Sequence, residues 1–497
     1  MSDDTLPRLP QSNTTDSGGP SGDEIIIVIA CCAEDPDRIG ESFAFSDLGV
    51  PCVLGRGPGD GTERRAEPGP WRPGVPFVGS GLRDERASRR LLELTATAVG
   101  LTVRLVGTGE LFVDRERTDA GFAEIGKTIR VDDRLLLYVT RRRAVTPRFL
   151  LPAARGCRFG EPDRFDITGE SAELYRMLDE VAYAAQSGEN VLLYGQTGVG
   201  KELFARAVHK LSERAGLPFV AQNAAAFPTE LLEEELYGHA ADFPNKGMRE
   251  RLGIIGEANG GYVFFDEIGE MSKTLQSHLL RLLDAGGQYR RLGDPSTRRT
   301  DARMIGATNR PLEEGLKHDL HPRFKRHVHL APLSARAEDI PLIVRAYARK
   351  LAAQGAPLIA RFAEERPDGT RDVRVGIDFI EALLCCDHPT NVRGLEKAVL
   401  DSMMQSKGRT LRAFPDLLAR IRRASERQEP APTRTPGGHM RITPELEARA
   451  RELLDGSHGS ITRAAQALGF SRYQMKRLMD RLGIGHTPAE DDDPPDE

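Results

Sequence analysis

The chain has 497 residues, of which 39% are hydrophobic and 29% charged, and its mean hydropathy is −0.40. This length predicts two to four domains, and the composition is typical of a globular protein with more than one core. With 69 Lys and Arg against 74 Asp and Glu, the net charge of −5 excludes a uniformly basic nucleic-acid coat but allows one basic domain.

The six cysteines form two adjacent pairs and two single residues, without CxxC or zinc spacing, so a reducing cytosol is the simplest interpretation. Residues 1–23 are polar and rich in Pro and Gly, and we expect them to be disordered. They contain no apolar h-region, and no run of 18 apolar residues follows. We therefore expect a cytoplasmic protein without a secretory signal or a membrane span.

Short apolar runs separated by turn residues fill residues 24–142, and this pattern predicts an all-β sandwich. A basic, Pro-containing linker is expected over residues 143–164. From residue 165 to 337, amphipathic helices alternate with apolar strands, which predicts a parallel-sheet α/β core. Residues 338–423 are expected to be mainly helical. The remaining segments are a linker at 424–441, a small helical unit at 442–486 and an acidic tail at 487–497.

A glycine-rich octapeptide lies between the apolar strand VLLY and an amphipathic helix. It comprises Gly195, Gln196, Thr197, Gly198, Val199, Gly200, Lys201 and Glu202. Its glycines let backbone N–H groups point at phosphate oxygens, and the helix N-terminus adds positive potential. Lys201 would reach the β- and γ-phosphates of a nucleotide, while Glu202 replaces the usual Ser or Thr. A chance GxxxxGK is the competing interpretation.

A second motif, GGYVFFDE, is an apolar strand that ends in Asp266 and Glu267. At the C-terminal end of a strand, Asp266 can hold Mg²⁺ and Glu267 can polarise the attacking water. A strand capped by solvated acids is the alternative. Together with the glycine-rich loop, this strand predicts a site for ATP and Mg²⁺.

Residues 165–400 resemble the AAA+ ATPases that activate sigma-54 RNA polymerase, the bacterial enhancer-binding proteins. The resemblance rests on blocks in family order: ITGES, the phosphate loop ending in KE, PFVAQNAAA, ELLEEELYGH, GGYVFFDEIGEM, GATNRPLEEG, APLSARAEDIPLI and NVRGLEK. It implies an AAA+ P-loop ATPase with a helical lid, in which ATP hydrolysis remodels RNA polymerase holoenzyme.

The same resemblance implies roles for single residues. Asn223 would hold Glu267 inactive until the γ-phosphate is sensed. Thr308 and Asn309 would form sensor I, which reads that phosphate, and Arg393 would be sensor II on the lid.

The family's arginine-finger segment matches residues 316–323, where Arg323 is retained and Lys317 replaces the first arginine. Lysine keeps the charge but loses the planar bidentate fork, so we expect Arg323 to be the finger and Lys317 to support it. A finger supplied in trans implies a homo-oligomeric ring, most simply a hexamer. An exposed surface charge is the alternative role for Arg323.

The resemblance breaks after the ELYGH block, where family members carry GAFTGA, the loop that contacts sigma-54. Here residues 240–247 read AADFPNKG. Phe243 can replace the aromatic tip, but Asp242 and Lys246 add charge. Two alternatives to a sigma-54 activator therefore stay open: a sigma-54-independent regulator that uses ATP to control its assembly on DNA, and a phosphoprotein scaffold with a vestigial ATPase.

Residues 24–142 resemble a forkhead-associated (FHA) domain, a phosphothreonine-binding sandwich. Arg56 lies in LGRG, like the family's GR loop, and Ser88 opens SRRL, in which Leu91 replaces the usual His. The resemblance implies that Arg56 and Ser88 bind the phosphate of a phosphothreonine protein. A sandwich that has lost phosphopeptide affinity is the alternative.

Two short helices around a Gly-Phe turn are predicted at 461–482, with Ser471 as the N-cap of the second helix. They resemble the Fis-type helix-turn-helix, which implies binding to an upstream DNA site. Five side chains of the second helix are candidates for base and phosphate contacts: Arg472, Tyr473, Gln474, Lys476 and Arg477. A helical oligomerisation tail with a solvated basic face is the alternative.

Overall fold

The computed structural model describes residues 23–57, 63–150, 152–226, 231–284, 286–310, 319–355, 357–366 and 369–427. The chain divides into two compact units, Met1–Arg420 and Ile421–Glu497. Lys317, the expected helix-turn-helix with its five candidate DNA contacts, and the acidic tail all lie outside the described residues. In the described ranges, no helix combines the length and the apolar character that crossing a bilayer requires.

Two antiparallel sheets form the N-terminal part of the first unit. Their strands are β1 (Glu24–Cys32), β2 (Ser42–Phe45), β3 (Pro51–Leu54), β4 (Leu92–Thr97), β5 (Gly100–Leu105), β6 (Leu111–Val113), β7 (Glu116–Thr118), β8 (Ala120–Glu124), β9 (Thr128–Val131) and β10 (Leu135–Arg142). One sheet has the order β2-β1-β10-β9-β6-β7 and the other β3-β4-β5-β8. Apolar side chains from both sheets share one core, as the alternating pattern of β4 illustrates.

Strand β1 is apolar along its whole length because both of its faces are covered. Ile25, Ile27 and Ile29 belong to the core between the two sheets. Ile26 and Val28 point the other way, toward a small cavity that is also lined by residues of the α/β core and of the helical lid, the mainly helical region at 338–423. A strand that is buried on both faces reads as a continuous hydrophobic run rather than an alternating one.

A five-stranded parallel sheet with the order β12-β13-β16-β11-β17 organises the α/β core. The strands of this core are β11 (Val191–Tyr194), β12 (Phe219–Asn223), β13 (Tyr262–Asp266), β14 (Gln288–Tyr289), β15 (Arg298–Arg299), β16 (Arg303–Thr308) and β17 (Arg326–His329). Its helices are α1 (Ala172–Ser187), α2 (Lys201–Leu211), α3 (Leu232–Tyr237), α4 (Gly253–Glu257) and α5 (Lys273–Asp284). Strands β14 and β15 form a separate hairpin. Two apolar clusters cover the parallel sheet, and residues of β13 and β16 contribute to both of them.

Helices dominate the following region, namely α6 (Ile340–Ala353), α7 (Ile377–Leu384), α8 (Asn391–Gln405) and α9 (Pro415–Arg427). A short hairpin, β18 (Ala363–Glu365) with β19 (Arg371–Val373), interrupts them. The sequence did not predict this hairpin, because its strands are three residues long and mostly charged.

The segment expected as a linker, 143–164, is anchored to α1. Asp179 Oδ1 accepts hydrogen bonds from three consecutive backbone N–H groups, those of residues 148–150, at 2.9, 2.6 and 2.8 Å. Arg155 is fully buried, pairs with Asp163 at 3.2 Å and donates to Gly169 O at 2.9 Å. This segment is therefore packed chain and not a free spacer.

The N-terminal sheets contact both the α/β core and the helical lid. Arg72 forms an ion pair with Glu170, just before α1, at 2.7 Å. Asp37 pairs with Arg345 of α6 at 2.7 Å and with Arg366 at 2.8 Å. These ion pairs connect the N-terminal sheets to the α/β core and to the helical lid.

Candidate functional site

The glycine-rich loop joins the end of β11 to the start of α2, in the central part of the parallel sheet. Gly198 and Gly200 have φ values of 76° and 101°, a conformation that favours glycine. A Cβ added at Gly198 would lie 2.1 Å from Thr390 O, so the loop also packs closely against the residues before α8. Both glycines allow the curl of the loop, and Gly198 also allows its close contact with the lid.

Lys201 is the first residue of α2, and its side chain folds back into the loop. Its Nζ donates to the carbonyl oxygens of Gly195 and Gln196 at 3.0 and 3.1 Å. Burial lowers the pKa of Lys201 despite the opposing charges of Asp266 and Glu267. The ammonium group thus lies inside the glycine-rich loop, where it could contact the phosphates of a nucleotide. Without a nucleotide, it is bound by backbone carbonyl groups of the loop.

Asp266 and Glu267 stand at the carboxyl end of β13. Asp266 Oδ1 accepts a hydrogen bond from the backbone N–H of Glu267 at 2.9 Å, and burial raises the pKa of Asp266. Glu267 has a φ of 54°, which is unusual for a residue other than glycine. Backbone in this region costs free energy and is concentrated at functional sites.

Asn223 ends β12, the strand next to β13, and it pairs in register with Asp266. Its Nδ2 donates to Glu267 Oε2 at 3.3 Å, while its Oδ1 accepts from Ala225 N at 2.9 Å. The second bond fixes the amide so that its donor side faces the Glu267 carboxylate.

Thr308 is the last residue of β16, the strand between β13 and β11, and Asn309 follows it. Asn309 Nδ2 donates to Thr197 Oγ1 at 3.1 Å, within the glycine-rich loop. Thr308 is buried, and its backbone oxygen accepts from Gly195 N at 3.2 Å. Both residues therefore contact the loop directly.

The two candidate arginines lie differently. Arg393 is an exposed residue of α8, and its Cβ would lie 3.1 Å from a Cβ built on Gly198. Arg323 is exposed and forms an ion pair with Asp284, the last residue of α5, at 2.5 Å. In this single chain Arg323 is thus engaged with a carboxylate outside the glycine-rich loop.

Asn391, which the sequence reasoning did not single out, connects the lid to the loop. Its Nδ2 donates to Gln196 Oε1 at 3.1 Å and to Thr197 O at 3.0 Å, and its Oδ1 accepts from Leu333 N at 2.7 Å. The side chain is buried, and its φ is 49°. The sequence feature that could have identified Asn391 is the NVRGL block, in which it stands two residues before Arg393.

A cleft of about 640 Å³ opens beside the glycine-rich loop. Residues 166–168, from the ITGES block and just before it, form one wall, and Ile343, Tyr347 and Lys350 of α6 form the other. Val199 and Gly200 contribute the part next to the loop. The cleft is lined by both the α/β core and the lid, which suits a nucleoside attached to phosphates in the loop.

The carboxylates beside the glycine-rich loop are suited to holding a magnesium ion. Within the described ranges, no group of three or more His, Cys, Asp or Glu side chains is placed so that it could hold a metal ion. Mg²⁺ does not require one, because it is usually held by one or two carboxylates together with phosphate oxygens and water. Asp266, whose charge acts on Lys201 of the phosphate loop, supplies such a carboxylate.

The N-terminal sheets bring the two FHA-type candidates to one end. Arg56 N donates to Ser88 O at 3.0 Å, and Ser88 Oγ accepts from Thr108 N at 3.2 Å. Arg65 Nη1 donates to Arg89 O at 2.8 Å, which braces the same loops. Arg56 and Ser88 are both partly exposed.

Residues 240–248, which replace the GAFTGA loop, form a compact turn. Asp242 N donates to Met248 O at 2.9 Å, and Asp242 Oδ1 accepts from Gly247 N at 2.6 Å. Phe243 at the tip is 37% exposed. The segment is therefore short and internally hydrogen-bonded.

The parallel sheet, the glycine-rich loop and the paired acids form a P-loop ATPase-like core of the AAA+ type. In agreement, residues 167–329 match the family model of the sigma-54 interaction domain.

Similar proteins include transcription regulators. The formate hydrogenlyase transcriptional activator of Salmonella typhimurium is 34% identical over 326 residues, which are 64% of this chain and 44% of that protein. The Nif-specific regulatory protein of Azorhizobium caulinodans is 34% identical over 316 residues, 62% and 46% of the two chains. This chain thus spans less than half the length of these curated relatives. A crystal structure of NtrX from Brucella abortus in complex with ATP shares 28% identity, with a TM-score of 0.44 over 64% of this chain and 69% of that one.

Proposed function

We propose that this chain is an ATP-hydrolysing, DNA-binding transcription regulator of the sigma-54 activator type. The observation that carries the proposal is the convergence of Lys201, Asp266, Glu267, Asn223 and Asn309 on one phosphate loop, inside a domain that matches the sigma-54 interaction model. The similar regulators of formate hydrogenlyase and nitrogen fixation genes support the transcriptional role.

In this proposal the nucleotide occupies the cleft between the ITGES block and α6, with its phosphates in the loop. Lys201 would exchange its two carbonyl acceptors for phosphate oxygens, which are stronger partners because they are charged. Mg²⁺, bound by Asp266 and phosphate, would neutralise charge on the phosphates. Thr308 and Asn309 would report the presence of the γ-phosphate, since Asn309 already bonds the loop at Thr197.

Glu267 is the proposed general base. Its carboxylate would accept a proton from the attacking water once Asn223 releases it. Arg323 would stabilise the developing charge on the γ-phosphate of a neighbouring subunit, after exchanging Asp284 for that phosphate. Arg393 would contact the nucleotide from the lid. A finger that acts in trans requires a homo-oligomer, which we propose to be a ring.

The proposal is tested by the steady-state rate of ATP hydrolysis of the full chain with Mg²⁺. Replacing Lys201 with Ala should abolish ATP binding and hydrolysis together. The matched control is Lys407→Ala, because Lys407 is exposed on the lid region. Equal rates for the wild type and Lys201→Ala would show that the loop is not the hydrolytic site.

A second candidate function is favoured by the turn at 240–248. This turn is compact and charged, whereas a GAFTGA loop is small and apolar. The two therefore offer a partner protein different surfaces. A sigma-54-independent regulator that uses ATP to control assembly on DNA would retain hydrolysis but leave sigma-54 uncaptured.

Input through the N-terminal sheets is the remaining part of the proposal. A phosphothreonine would be bound by the Arg56 guanidinium and the Ser88 hydroxyl. Fluorescence anisotropy with phosphothreonine peptides should show binding that Arg56→Ala removes and Arg104→Ala retains, since Arg104 lies on β5 and pairs with Glu93. Equal binding of phosphorylated and unphosphorylated peptides would refute this input.

A further inference from the structure

Two neighbouring turns of the α/β core present cations that lack acidic partners. We call residues 240–252 and 286–299 together the two-turn face. Its segments hold seven Lys and Arg against three Asp and Glu, a net charge of +4 in a chain whose net charge is −5. This local excess concerns residues that neither the nucleotide site nor the sandwich uses.

Backbone hydrogen bonds hold the two turns side by side. Ala240 N donates to Leu292 O at 2.9 Å, and Leu292 N donates to Gly238 O at the same distance. His239 forms bridges with both Arg251 and Leu292, so the segment at 238–240 lies between the two others. The turns beyond these bridges therefore leave the core together.

The Phe243 ring rests on the second turn. A Cβ placed on Gly293 would come within 2.5 Å of Phe243 Cγ, so only glycine allows this contact. Phe243 and Met248 nevertheless remain 37% exposed, and Leu252 is 45% exposed. A fixed aromatic side chain with one free side is thus part of this face.

The three acids of the face are all occupied internally. Asp242 accepts from Gly247 N at 2.6 Å, and Glu250 pairs with Arg291 at 2.9 Å. Asp294 accepts from Ser296 N and pairs with Arg298. The three carboxylates therefore stabilise the turns, and they do not neutralise the other Lys and Arg residues of the face.

Four cations remain without a carboxylate partner in the described part of the chain. Arg290 donates through Nε to Thr297 Oγ1 at 3.2 Å, and Arg299 donates to Gly286 O at 3.0 Å. Lys246 and Arg249, on the first turn, form no ion pair with any described residue. Arg290 and Arg299 are thus oriented by hydroxyl and backbone groups while their charge stays available.

We infer that the two-turn face binds single-stranded nucleic acid. Unpaired Lys and Arg contact a phosphate backbone, and an exposed aromatic ring among them provides a platform for an unpaired base. An acidic protein would use the cations but would have no need of a fixed, half-exposed ring.

The test measures the salt dependence of binding to a fluorescent 20-nucleotide oligothymidylate by the full chain. The double variant Arg249→Ser/Arg290→Ser should lower the magnitude of the slope of log K against log salt by about 1.4, since each lost phosphate contact removes about 0.7 for a single strand. The control Arg371→Ser/Arg409→Ser makes the same charge change at exposed arginines elsewhere and should leave the slope unchanged.

A second variant separates stacking from charge. Phe243→Ala should weaken binding at least about fivefold without changing the salt slope, because stacking does not release counterions. With a photoreactive phenylalanine analogue in place of Phe243, the oligonucleotide should cross-link to the protein. ATP hydrolysis and thermal unfolding of each variant report whether it folds normally.

Three results would overturn the inference. The first is an unchanged salt slope in Arg249→Ser/Arg290→Ser together with no cross-link at position 243. The second is an equal decrease in the control double variant. The third is binding of polyglutamate, but not of oligothymidylate, in a manner that depends on Arg249 and Arg290, which would assign the face to an acidic protein.

Discussion

The side-chain amide of Asn223 donates to the carboxylate of Glu267 at 3.3 Å, across the carboxyl ends of two adjacent parallel strands. The contact links the strand that carries the proposed base to the strand that restrains it. Glu267 also has a left-handed backbone conformation, which costs free energy in a residue other than glycine.

Replacing Glu267 with Gln should separate ATP binding from hydrolysis. The amide keeps the size of the side chain but cannot accept the proton of water, and loss of a general base typically lowers a rate about 10²- to 10⁴-fold. Binding of a fluorescent ATP analogue should remain within about twofold, since the phosphate loop is unchanged. The control is Glu257→Gln, which changes an exposed carboxyl on α4. A variant that hydrolyses ATP at the wild-type rate would exclude Glu267 as the base.

Arg323 should act on the nucleotide of a neighbouring subunit. Arg323→Ala alone and Lys201→Ala alone should each be inactive in hydrolysis, because one lacks the finger and the other lacks the phosphate contact. When the two variants are mixed, some sites combine an intact loop with an intact finger, so activity should partly return. Failure of every mixing ratio to restore hydrolysis would argue that Arg323 does not act in trans.

Asn391→Ala should weaken both folding and nucleotide binding. It removes the acceptor of the Leu333 N–H group and two bonds to the glycine-rich loop, and an unsatisfied buried group costs about 1–3 kcal/mol. Its φ of 49° also suits Asn better than Ala. Thermal unfolding and ATP affinity should both decrease, whereas Gln405→Ala, at the exposed end of the same helix, should change neither. Retained affinity in Asn391→Ala would show that the link between lid and loop is dispensable.

Asp372 should stabilise the chain at neutral pH and lose this effect in acid. Burial alone would raise its pKa, but hydrogen bonds and charges from Arg349 and Arg345 outweigh burial and lower the pKa. A group with a lowered folded pKa stabilises above its unfolded value, about 3.9, and the effect declines as the pH falls toward the folded pKa. Asp372→Asn should therefore destabilise the protein at pH 7, by about 1 kcal/mol more than at pH 3.

Trp71 provides the measurement for this prediction. It is the single tryptophan of the chain, and its ring packs edge-on against Tyr175 of α1 at 6.1 Å. Urea unfolding followed by its fluorescence at both pH values compares Asp372→Asn with Asp133→Asn, whose carboxyl is 74% exposed. A difference between wild type and Asp372→Asn that is the same at pH 7 and pH 3 would refute the role of the ionised carboxyl.

The sequence predicted the local parts of the site and not the contacts between distant segments. Glycine spacing and the apolar strands placed Lys201, Asp266 and Glu267 at the carboxyl edge of a parallel sheet, because a P-loop and a strand ending in acids are each short, contiguous patterns. The contact of Asn391 with Gln196 depends on how the lid folds over the loop, and no periodic pattern encodes this.

Amino-acid composition also did not predict the structure of segments whose packing depends on single side chains. The segment 143–164 has the Pro and basic content of a linker, yet Asp179 caps three of its N–H groups and Arg155 is buried. A buried arginine with an acidic partner cannot be distinguished from a solvated one in the sequence. The ion pairs of Asp37 could not be predicted from the sequence either, because its partners Arg345 and Arg366 are separated from it by about 300 residues of chain.

The most direct measurement is capture of sigma-54 by the nucleotide-trapped protein. Purified full-length chain is mixed with Mg²⁺, ADP, a γ-phosphate transition-state mimic and sigma-54, and a native gel is examined for a slower complex, with the ATP hydrolysis rate of the same preparation as the folding control. We predict a complex that requires the mimic and disappears with Lys201→Ala. A preparation that hydrolyses ATP but captures no sigma-54 would contradict the sigma-54 activator assignment and favour the regulator that acts without it.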